Sequence, residues 1–438
     1  HDFSVARRIA KKDWEERLGR IRVQGGTLAQ QRTFYTAFYH SLIKPSEAHN
    51  ESPFWPWDGP FFFDFSTLWD MYKTQLPLVL SLFPDEGAAI VNAMLTVVEM
   101  EGNFPIGYRL ARGYDRFSHQ ASALGHVVIA DAFHRRLPGI DWERALTLMS
   151  KDLGREYGEA FFQDGVVHPL THTLDLAYGC FCTAAIATEI GDTTVAAQML
   201  EYASQWKNAF DKTGLLRDST YYEGSKYNYS FRLLHDMASR ISLAGGDTAF
   251  VDLLDTFFGY AADSVPAPGV SPCRTEMAEG ELLGRFEGFN NEPDMESPYA
   301  YIYAGRHDRA CEVIRAGLTQ CYGDSRGGLV GNDDSGGMSS WYVWSALGLF
   351  PVAGQDVFLI GSPLFNRAEV QFGPDQAFAI ETDGGGTESS YIQSVLLDGK
   401  PFKKPYLCWR DLCSGGTLSV KMTSTPTVWT QERPPSVM

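Results

Sequence analysis

Apolar residues recur with the period of an α-helix over most of the chain, from about residue 28 to residue 348. We interpret this region as twelve helices. The predicted helices are 28–43, 69–82, 87–101, 121–136, 142–158, 173–190, 194–211, 229–242, 247–261, 297–305, 308–321 and 338–348. A further helix, rich in charged residues, is predicted near 5–20. The pattern therefore indicates a mainly α fold.

The links between these helices alternate in length. Links after even-numbered helices are short and lie near 83–86, 137–141, 191–193, 243–246 and 306–307. Links after odd-numbered helices are long and lie near 44–68, 102–120, 159–172, 212–228, 262–296 and 322–337. Because short links join antiparallel neighbours, the long loops gather at one end of a helical toroid. We expect an (α/α)6 barrel with a binding site among these loops, since no fixed-period repeat supports a plain helical array.

The pattern changes to that of strands after Pro351. Alternating or β-branched segments lie at 356–360, 367–371, 376–381, 390–398 and 416–422. The Asp-Gly pair within 396–402 is typical of a hairpin turn. We expect three parts: a connecting helix in residues 1–24, the (α/α)6 barrel in 25–351, which would carry the binding site, and a small β module in 352–438 packed on the barrel.

Composition excludes several classes of function. The formal charge of −17 argues against nucleic acid as a partner, because phosphate binding needs clustered Lys and Arg. No apolar run approaches the roughly 18 residues that span a membrane. Aromatic residues reach 13%, which fits either a large aromatic core or aromatic faces that line a sugar site. The seven cysteines show no zinc-ligand spacing and leave disulfides undecided.

The start of the chain carries no signal peptide. The first residue is His1, and the charged and apolar regions of a leader are both missing. We expect either that a leader has been removed or that the chain starts partway along a longer gene product.

Two of the long loops carry candidate substrate-binding residues. Trp69 and Asp70 stand at the mouth of the second predicted helix, where Asp70 either caps the helix or holds sugar hydroxyls. Arg109 lies in a loop with other charged and aromatic residues, which either bind substrate or form a surface ion-pair network.

Glu223 is a candidate general acid. It is flanked by the tyrosines Tyr221, Tyr222, Tyr227 and Tyr229. If buried there, its carboxyl would have a raised pKa, which suits protonation of a glycosidic oxygen. The alternative is a surface carboxylate in front of a glycine turn.

Another long loop concentrates five hard oxygen ligands within the seven residues 290–296, namely Asn290, Asn291, Glu292, Asp294 and Glu296. Calcium prefers six to eight such oxygens, some of them from the backbone or water. The segment lacks the glycine and spacing of an EF-hand, so a capped turn remains the alternative.

Asp333 and Asp334 lie in a glycine-rich turn directly before the last predicted helix. One of them would suffice as a cap, and adjacent like charges are costly unless a cation or a reaction uses them. Together with Glu223, the pair offers the two opposed carboxylates that glycoside hydrolysis requires.

Four stretches make the chain similar to a known family: LWDMYKTQLPL, YYEGSKYNYSF, NNEPDMESPYAYIYAG and GNDDSGGMSSWYVWSALGLFPV. In order and spacing they resemble the signatures of glycoside hydrolase family 92, and so do IGSPLF, YIQSVLLDGKPF and GGTLSVKM nearer the C-terminus. The resemblance covers residues 13–430 and implies a calcium-dependent, inverting exo-α-mannosidase that is secreted or periplasmic. Its substrates would be terminal α-mannosides of N-glycans or mannans.

The resemblance also implies residue roles. Glu223 matches the general acid and Asp334 the general base, with Asn332 and Asp333 as candidates for the assisting position. Glu292 with Asn291 matches the calcium-binding element. Trp69 and Asp70 match the element that holds the terminal mannose.

The chain departs from the family pattern in three places. The family usually has an N-terminal β-sandwich domain, and the chain begins after the place of this domain, which is expected to be cleaved, supplied by a separate chain, or absent. Ser225, Tyr227 and Asn228 replace the usual neighbours of the acid, and the loop 102–120 matches poorly after GNFPIGYRL. Two alternatives therefore stay open: a non-catalytic mannan-binding remnant, and another (α/α)6 glycosidase of glucan or trehalose type.

Overall fold

The computed structural model of the chain describes residues 2–65, 67–107, 120–155, 157–217, 225–260, 286, 289, 291–373, 377–384 and 389–437.

Helices dominate the described residues up to position 347. The first half contains α1 (Phe3–Leu18), α2 (Leu28–His40), α3 (Leu68–Met71), α4 (Gln75–Leu82), α5 (Pro84–Glu101), α6 (Leu124–His134), α7 (Trp142–Leu153), α8 (Tyr157–Asp164) and α9 (Leu170–Ile190). The second half contains α10 (Thr193–Ala203), α11 (Lys226–Ser230), α12 (Met237–Leu243), α13 (Asp247–Phe257), α14 (Ser297–Tyr303), α15 (His307–Ala316) and α16 (Gly337–Leu347). The mainly α prediction is confirmed.

Polar side chains set several helix starts. Thr27 and Gln30 form a reciprocal capping box at the start of α2. Asp141 and Asp192 accept backbone N–H groups at the starts of α7 and α10. Helices α9 and α10 pack against each other, and α9 also contacts α6 and α7. These contacts fit paired helices, and closure into a ring of six pairs stays a prediction.

Two predicted helices are interrupted at residues that make tertiary contacts. The predicted helix 69–82 divides into α3 and α4, and at the start of α4 the Thr74 carbonyl accepts the Trp344 indole N–H at 3.0 Å as well as the Leu78 N–H at 3.1 Å. The predicted helix 229–242 divides into α11 and α12, with the Leu233 N–H donating to Glu296 Oε2 at 3.0 Å between them.

Strands follow the helices, as predicted. They are β4 (Leu349–Pro351), β5 (Phe358–Ile360), β6 (Arg367–Val370), β7 (Phe378–Asp383), β8 (Tyr391–Leu397), β9 (Lys400–Phe402), β10 (Tyr406–Leu407) and β11 (Gly416–Thr423), with the short helix α17 (Trp409–Cys413) before the last. Two earlier strands, β2 (Ser46–Glu47) and β3 (Phe62–Phe63), pair with each other.

The main sheet recruits a strand from the N-terminal segment. Its order is β1-β6-β7-β11-β8-β9, where β1 is Ile21–Gln24. Strand β1 runs antiparallel to β6, with Ile21 opposite Val370, and β11 runs parallel to β7. The segment 1–24, predicted as a connecting helix, thus contains helix α1 followed by a strand of the C-terminal sheet. Four residues are too few to show a strand period, so the sequence did not indicate this pairing.

Helix α16 is buried along its whole length. All of its residues are buried, among them Trp341 and Trp344. Both indole N–H groups donate to backbone carbonyls, Trp341 to Met295 at 2.9 Å and Trp344 to Thr74. Aromatic residues are thus a major part of the core, which agrees with the interpretation of the aromatic content as a large aromatic core.

Two further properties concern the described residues. No helix among them has the length and apolar character needed to cross a membrane. Six of the seven cysteines lie within them, and all six are free thiols.

A buried carboxylate connects the helices to the main sheet. Glu312 on α15 accepts hydrogen bonds from Tyr260 at 2.8 Å, from Arg309 at 2.8 Å and from Tyr391 on β8 at 2.7 Å. Because hydrogen bonds to charged groups are stronger than neutral ones, this contact fixes the sheet on α15.

We predict that Tyr391→Phe lowers the free energy of unfolding by about 1.5–3 kcal/mol, the usual contribution of a hydrogen bond to a charged group. Urea denaturation measures the change. Tyr406→Phe is the matched control, because the Tyr406 hydroxyl on β10 makes no hydrogen bond among the described residues. Equal midpoints for the two variants would contradict a role for the Glu312 contact.

Candidate active site

A pocket opens where the starts of several helices meet. It is lined by Trp69, Tyr72, Lys73, Ala121, Leu124, Asp175, Asn228, Tyr229, Arg232, Glu292 and Pro293. One indole ring, two phenol rings and several charged groups thus face the same space, a mixture that suits a polar ligand with apolar faces.

The buried ammonium group of Lys73 joins two walls of this pocket. Lys73 is 4% exposed and follows helix α3. Its Nζ donates to the Glu292 backbone carbonyl at 2.9 Å and lies 3.8 Å from Glu296 Oε2. The segment that carries Trp69 is therefore held against the segment that carries Glu292.

A third wall is attached to the same acidic segment by two hydrogen bonds from α11. The Tyr229 hydroxyl donates to Glu292 Oε1 at 3.1 Å, and Asn228 Nδ2 donates to Asp294 Oδ1 at 2.9 Å. Residues 228–229, 292–294 and 69–73, which are far apart in sequence, consequently keep fixed positions around the pocket.

The pocket lining also contains a buried ion pair. Arg232 donates to Asp175 Oδ1, and the Ser122 N–H donates to Asp175 Oδ2 at 3.1 Å. Burial acts to lower the pKa of Arg232, but Tyr72, Asp175 and Glu296 outweigh it and raise that pKa. Burial likewise raises the pKa of the Tyr72 hydroxyl. At neutral pH Arg232 is therefore charged and the Tyr72 hydroxyl is neutral.

Asp70 is buried beside the start of α16. A β-carbon added to Gly337 would lie 3.2 Å from Asp70 Cβ and 3.2 Å from its carbonyl oxygen. The Thr67 and Ser335 hydroxyls are 2.7 Å apart in the same region. The element containing Trp69 and Asp70 thus packs directly on the turn that precedes α16.

That turn has an unusual backbone. Asp333, Asp334 and Ser335 have φ values of 60°, 40° and 57°, and Gly336 continues with 87°. Three successive residues with side chains in the left-handed region are strained, and strain of this kind clusters at functional sites. Asp334 begins the short 3-10 turn Asp334–Gly336 within this stretch.

The carboxylate of Asp333 holds the strained turn in place. Its Oδ1 accepts the Ser339 N–H at 3.0 Å and the Ser339 hydroxyl at 2.6 Å. Its Oδ2 lies 3.1 Å from His40 Nδ1 at the end of α2. Asp333 therefore acts as a cap for α16 and ties the turn to α2.

We predict that Gly336→Ala lowers the free energy of unfolding by about 1–3 kcal/mol, because the residue has a positive φ and an added β-carbon would lie 2.9 Å from the His40 carbonyl. Thermal unfolding measures the loss. Gly327→Ala provides the control, since no atom lies within 4 Å of its added carbon and its φ is not positive. A Gly336→Ala variant as stable as this control would show that the turn is not fixed as described.

The structure gathers some of the residues predicted from the sequence. Trp69 and Glu292 line the pocket, and Asn291 caps the Glu292 turn by accepting the Glu292 N–H at 3.0 Å. Asn332 is exposed in the loop before the strained turn. Glu223 and Arg109 lie outside the described residues.

Sequence reasoning did not identify Lys73, Asp175 and Arg232 as residues of this site. One signal was present for Asp175, which is the only charged residue of α9 before Glu189. A charge in an otherwise apolar helix needs a partner, because an unpaired buried charge is costly. Lys73 and Arg232 carried no comparable signal.

Residues 1–424 match the catalytic domain of glycosyl hydrolase family 92. The chain belongs to this family. It is thus a glycoside hydrolase by family, as the four sequence stretches predicted.

Two solved structures from Bacteroides thetaiotaomicron share the fold. The family GH92 α-mannosidase BT3965 has a TM-score of 0.86 at 24% identity, and it also has a structure in complex with mannoimidazole. The family GH92 inverting mannosidase BT2199 has a TM-score of 0.83 at 24% identity. Both comparisons cover 100% of this chain.

A curated relative is an uncharacterized secreted glycosidase of Arthroderma benhamiae, 24% identical over 499 residues that cover 98% of this chain. The chain spans 58% of that relative, 61% of BT3965 and 65% of BT2199. The fold and family are therefore shared, while the activity of the whole relatives carries over only as a proposal.

Proposed function

We propose that the protein is a calcium-dependent, inverting exo-α-mannosidase that hydrolyses terminal α-mannosides of N-glycans or mannans. The observation that carries the proposal is a pocket lined by Trp69 and Glu292 in a chain of family 92. Lys73 joins the segments of these two residues through its hydrogen bond to the Glu292 carbonyl. The two relatives named as mannosidases support the choice of sugar.

Hydrolysis would use one carboxylic acid and one carboxylate. Glu223 gives its proton to the leaving glycosidic oxygen as the bond to the anomeric carbon breaks. Asp334 takes a proton from a water molecule that attacks this carbon on the opposite face, so that the configuration inverts. The strained turn would hold Asp334 in one orientation while Asp333 is bound to Ser339.

The terminal mannose would lie against Trp69, because an aromatic face packs on the C–H face of a sugar. Asp70, Arg109 and Asn332 are the proposed partners of its hydroxyl groups. The buried ion pair of Asp175 and Arg232 lines the same pocket and adds polar groups to it.

Calcium would be held through Glu292 and Asn291. Glu292 is 3% exposed, lines the pocket and supplies the hard carboxylate oxygens that calcium prefers. Among the described residues, no group of three His, Cys, Asp or Glu side chains could hold a metal ion. Amide, backbone, water or sugar oxygens would therefore complete the coordination. A calcium ion at this site would supply Lewis-acid polarisation of the sugar's hydroxyl groups.

Secretion is part of the proposal, because the curated relative is named as a secreted protein. The partners would be mannose-containing glycans, with a separate or cleaved N-terminal β-sandwich domain as a second proposed partner.

The first test measures mannose released from α-1,2-, α-1,3- and α-1,6-mannobiose with calcium and with excess EDTA. We expect release from at least one disaccharide, its loss in EDTA and its return when calcium is restored. The ranking of the three substrates gives the linkage.

Two results would contradict the proposal. Mannose release that is unchanged by EDTA would exclude a calcium requirement and favour another type of (α/α)6 glycosidase. Calcium-dependent binding of mannan by the folded protein without any release would favour the non-catalytic alternative.

Glu223→Gln tests the general acid. We expect the variant to fold normally and to lose about 10²–10⁴-fold in kcat/KM on mannobiose, because the leaving oxygen is no longer protonated. Activity on 2,4-dinitrophenyl α-mannoside should change little, since this leaving group needs no proton. Near wild-type turnover of mannobiose would exclude Glu223 as the acid.

A further inference from the structure

Arg232 is a buried arginine of the candidate active site with one unused donor. It lies in the link between α11 and α12, is 7% exposed and lines the pocket together with Trp69 and Glu292. Its Nη1 donates to Asp175 Oδ1, whereas its Nη2 has no hydrogen-bond partner among the described residues. A buried N–H group without a partner is costly and rare in native proteins. Such a donor at the lining of a pocket indicates that a ligand completes it.

The guanidinium group of Arg232 is fixed in place by its other contacts. Asp175 is itself held, because its Oδ2 accepts the Ser122 N–H at 3.1 Å. The guanidinium carbon lies 5.8 Å from the ring centroid of Tyr72 and 5.5 Å from that of Tyr178. Since a guanidinium group is planar and rigid, binding Nη1 to Asp175 also sets the direction of Nη2.

The backbone around Arg232 is attached to the acidic segment of the pocket. The Leu233 N–H donates to Glu296 Oε2 at 3.0 Å, and the Tyr229 hydroxyl donates to Glu292 Oε1 at 3.1 Å. Arg232 therefore keeps a constant position relative to Glu292, and a ligand that fills the pocket would meet its Nη2 in a defined place.

The charges that line the pocket indicate what kind of acceptor Nη2 binds. Among the described lining residues, Lys73 and Arg232 are cationic and Asp175 and Glu292 carry carboxyl groups. Lys73 already donates to the Glu292 carbonyl at 2.9 Å. The lining thus has no surplus of positive charge for an anionic ligand. A guanidinium group has only donors, so its partner in a neutral ligand is a lone pair of a hydroxyl oxygen.

We propose that Arg232 is a specificity-determining residue: its Nη2 donates a hydrogen bond to one hydroxyl oxygen of the terminal sugar while its Nη1 stays bound to Asp175. The inference rests on the proposed function. A site that is built to hydrogen-bond a hydroxyl group rejects the analogue that lacks it, because the buried donor is then left unpaired. Arg232 would therefore distinguish mannose from one of its deoxy analogues.

The test measures kcat/KM on 4-nitrophenyl α-mannoside and on its 2-, 3-, 4- and 6-deoxy analogues, for the wild type and for Arg232→Met. The wild type should lose at least about 100-fold on the analogue that lacks the hydroxyl bound by Arg232. Arg232→Met should lose a similar factor on the parent mannoside but less than about 3-fold on that one analogue, because the variant and the analogue remove the same hydrogen bond. The wild-type-to-variant ratio on each substrate cancels differences in intrinsic reactivity.

Arg232→Lys separates recognition of the hydroxyl group from the ion pair. Lysine keeps a positive charge beside Asp175 but lacks the planar fork that serves two acceptors at once. We expect Arg232→Lys to unfold at a temperature close to that of the wild type and to lose the same discrimination between the parent and the one analogue. If Arg232→Met is too unstable to assay, Arg232→Lys takes its place in the comparison.

Arg315→Met is the matched control. Arg315 is also buried, donates to the Ser362 hydroxyl and the Pro363 carbonyl, and leaves Nε and Nη1 without partners among the described residues. It is not among the residues that line the pocket. A loss caused by removing a buried arginine in general should change kcat/KM on the parent and on all four analogues by one common factor.

Two results would overturn the inference while leaving the mannosidase proposal intact. One is a common factor of loss for Arg232→Met on the parent and all four analogues, as expected for the control. The other is full wild-type discrimination in Arg232→Lys. A wild-type protein that hydrolyses no mannoside in the presence of calcium would instead overturn the proposed function on which the inference rests.

Discussion

The pocket depends on one buried ammonium group. Lys73 connects the segment of Trp69 with the segment of Glu292 through a hydrogen bond to a backbone carbonyl. Removing this cation would leave the buried carboxylate of Glu296 without its positively charged neighbour. Because an uncompensated buried charge costs several kcal/mol, Lys73 stabilises the relative position of these two segments strongly. The hydrogen bonds from Asn228 and Tyr229 then place a third segment against the same frame.

Buried charges recur around this frame, and each has a different kind of partner. Arg232 is paired with the carboxylate of Asp175, which makes it a conventional buried ion pair. Arg240 is bound by backbone carbonyls and aromatic rings. Glu312 gathers two phenol groups and one guanidinium at the junction with the sheet. Around the pocket and at the junction with the strands, hydrogen bonds and ion pairs of buried charged groups therefore add directional contacts to the apolar packing.

The strained turn before α16 is also held by specific contacts. Successive positive φ values are unfavourable for residues with side chains. The turn is stabilised by the hydrogen bond between Asp333 and the Ser339 N–H and by the contact between the Thr67 and Ser335 hydroxyls, and Gly336 packs closely against the His40 carbonyl. This arrangement leaves Asp334 next to a rigid helix that is buried along its whole length. Such support suits the role proposed for Asp334 as the general base, because small displacements of a catalytic group cost large factors in rate.

The sequence by itself determined the family, the helical character up to residue 347 and the strands that follow. Periodicity and ordered motifs are local properties, so they can be read along the chain. It also identified Trp69 and Glu292, which the structure places in one pocket. Only the tertiary structure decided that β1 joins the C-terminal sheet, and that Lys73, Asp175 and Arg232 complete the pocket. It likewise decided the interruptions between α3 and α4 and between α11 and α12. These features arise from hydrogen bonds and ion pairs between residues far apart in sequence, and no local period or spacing records which distant group will be the partner.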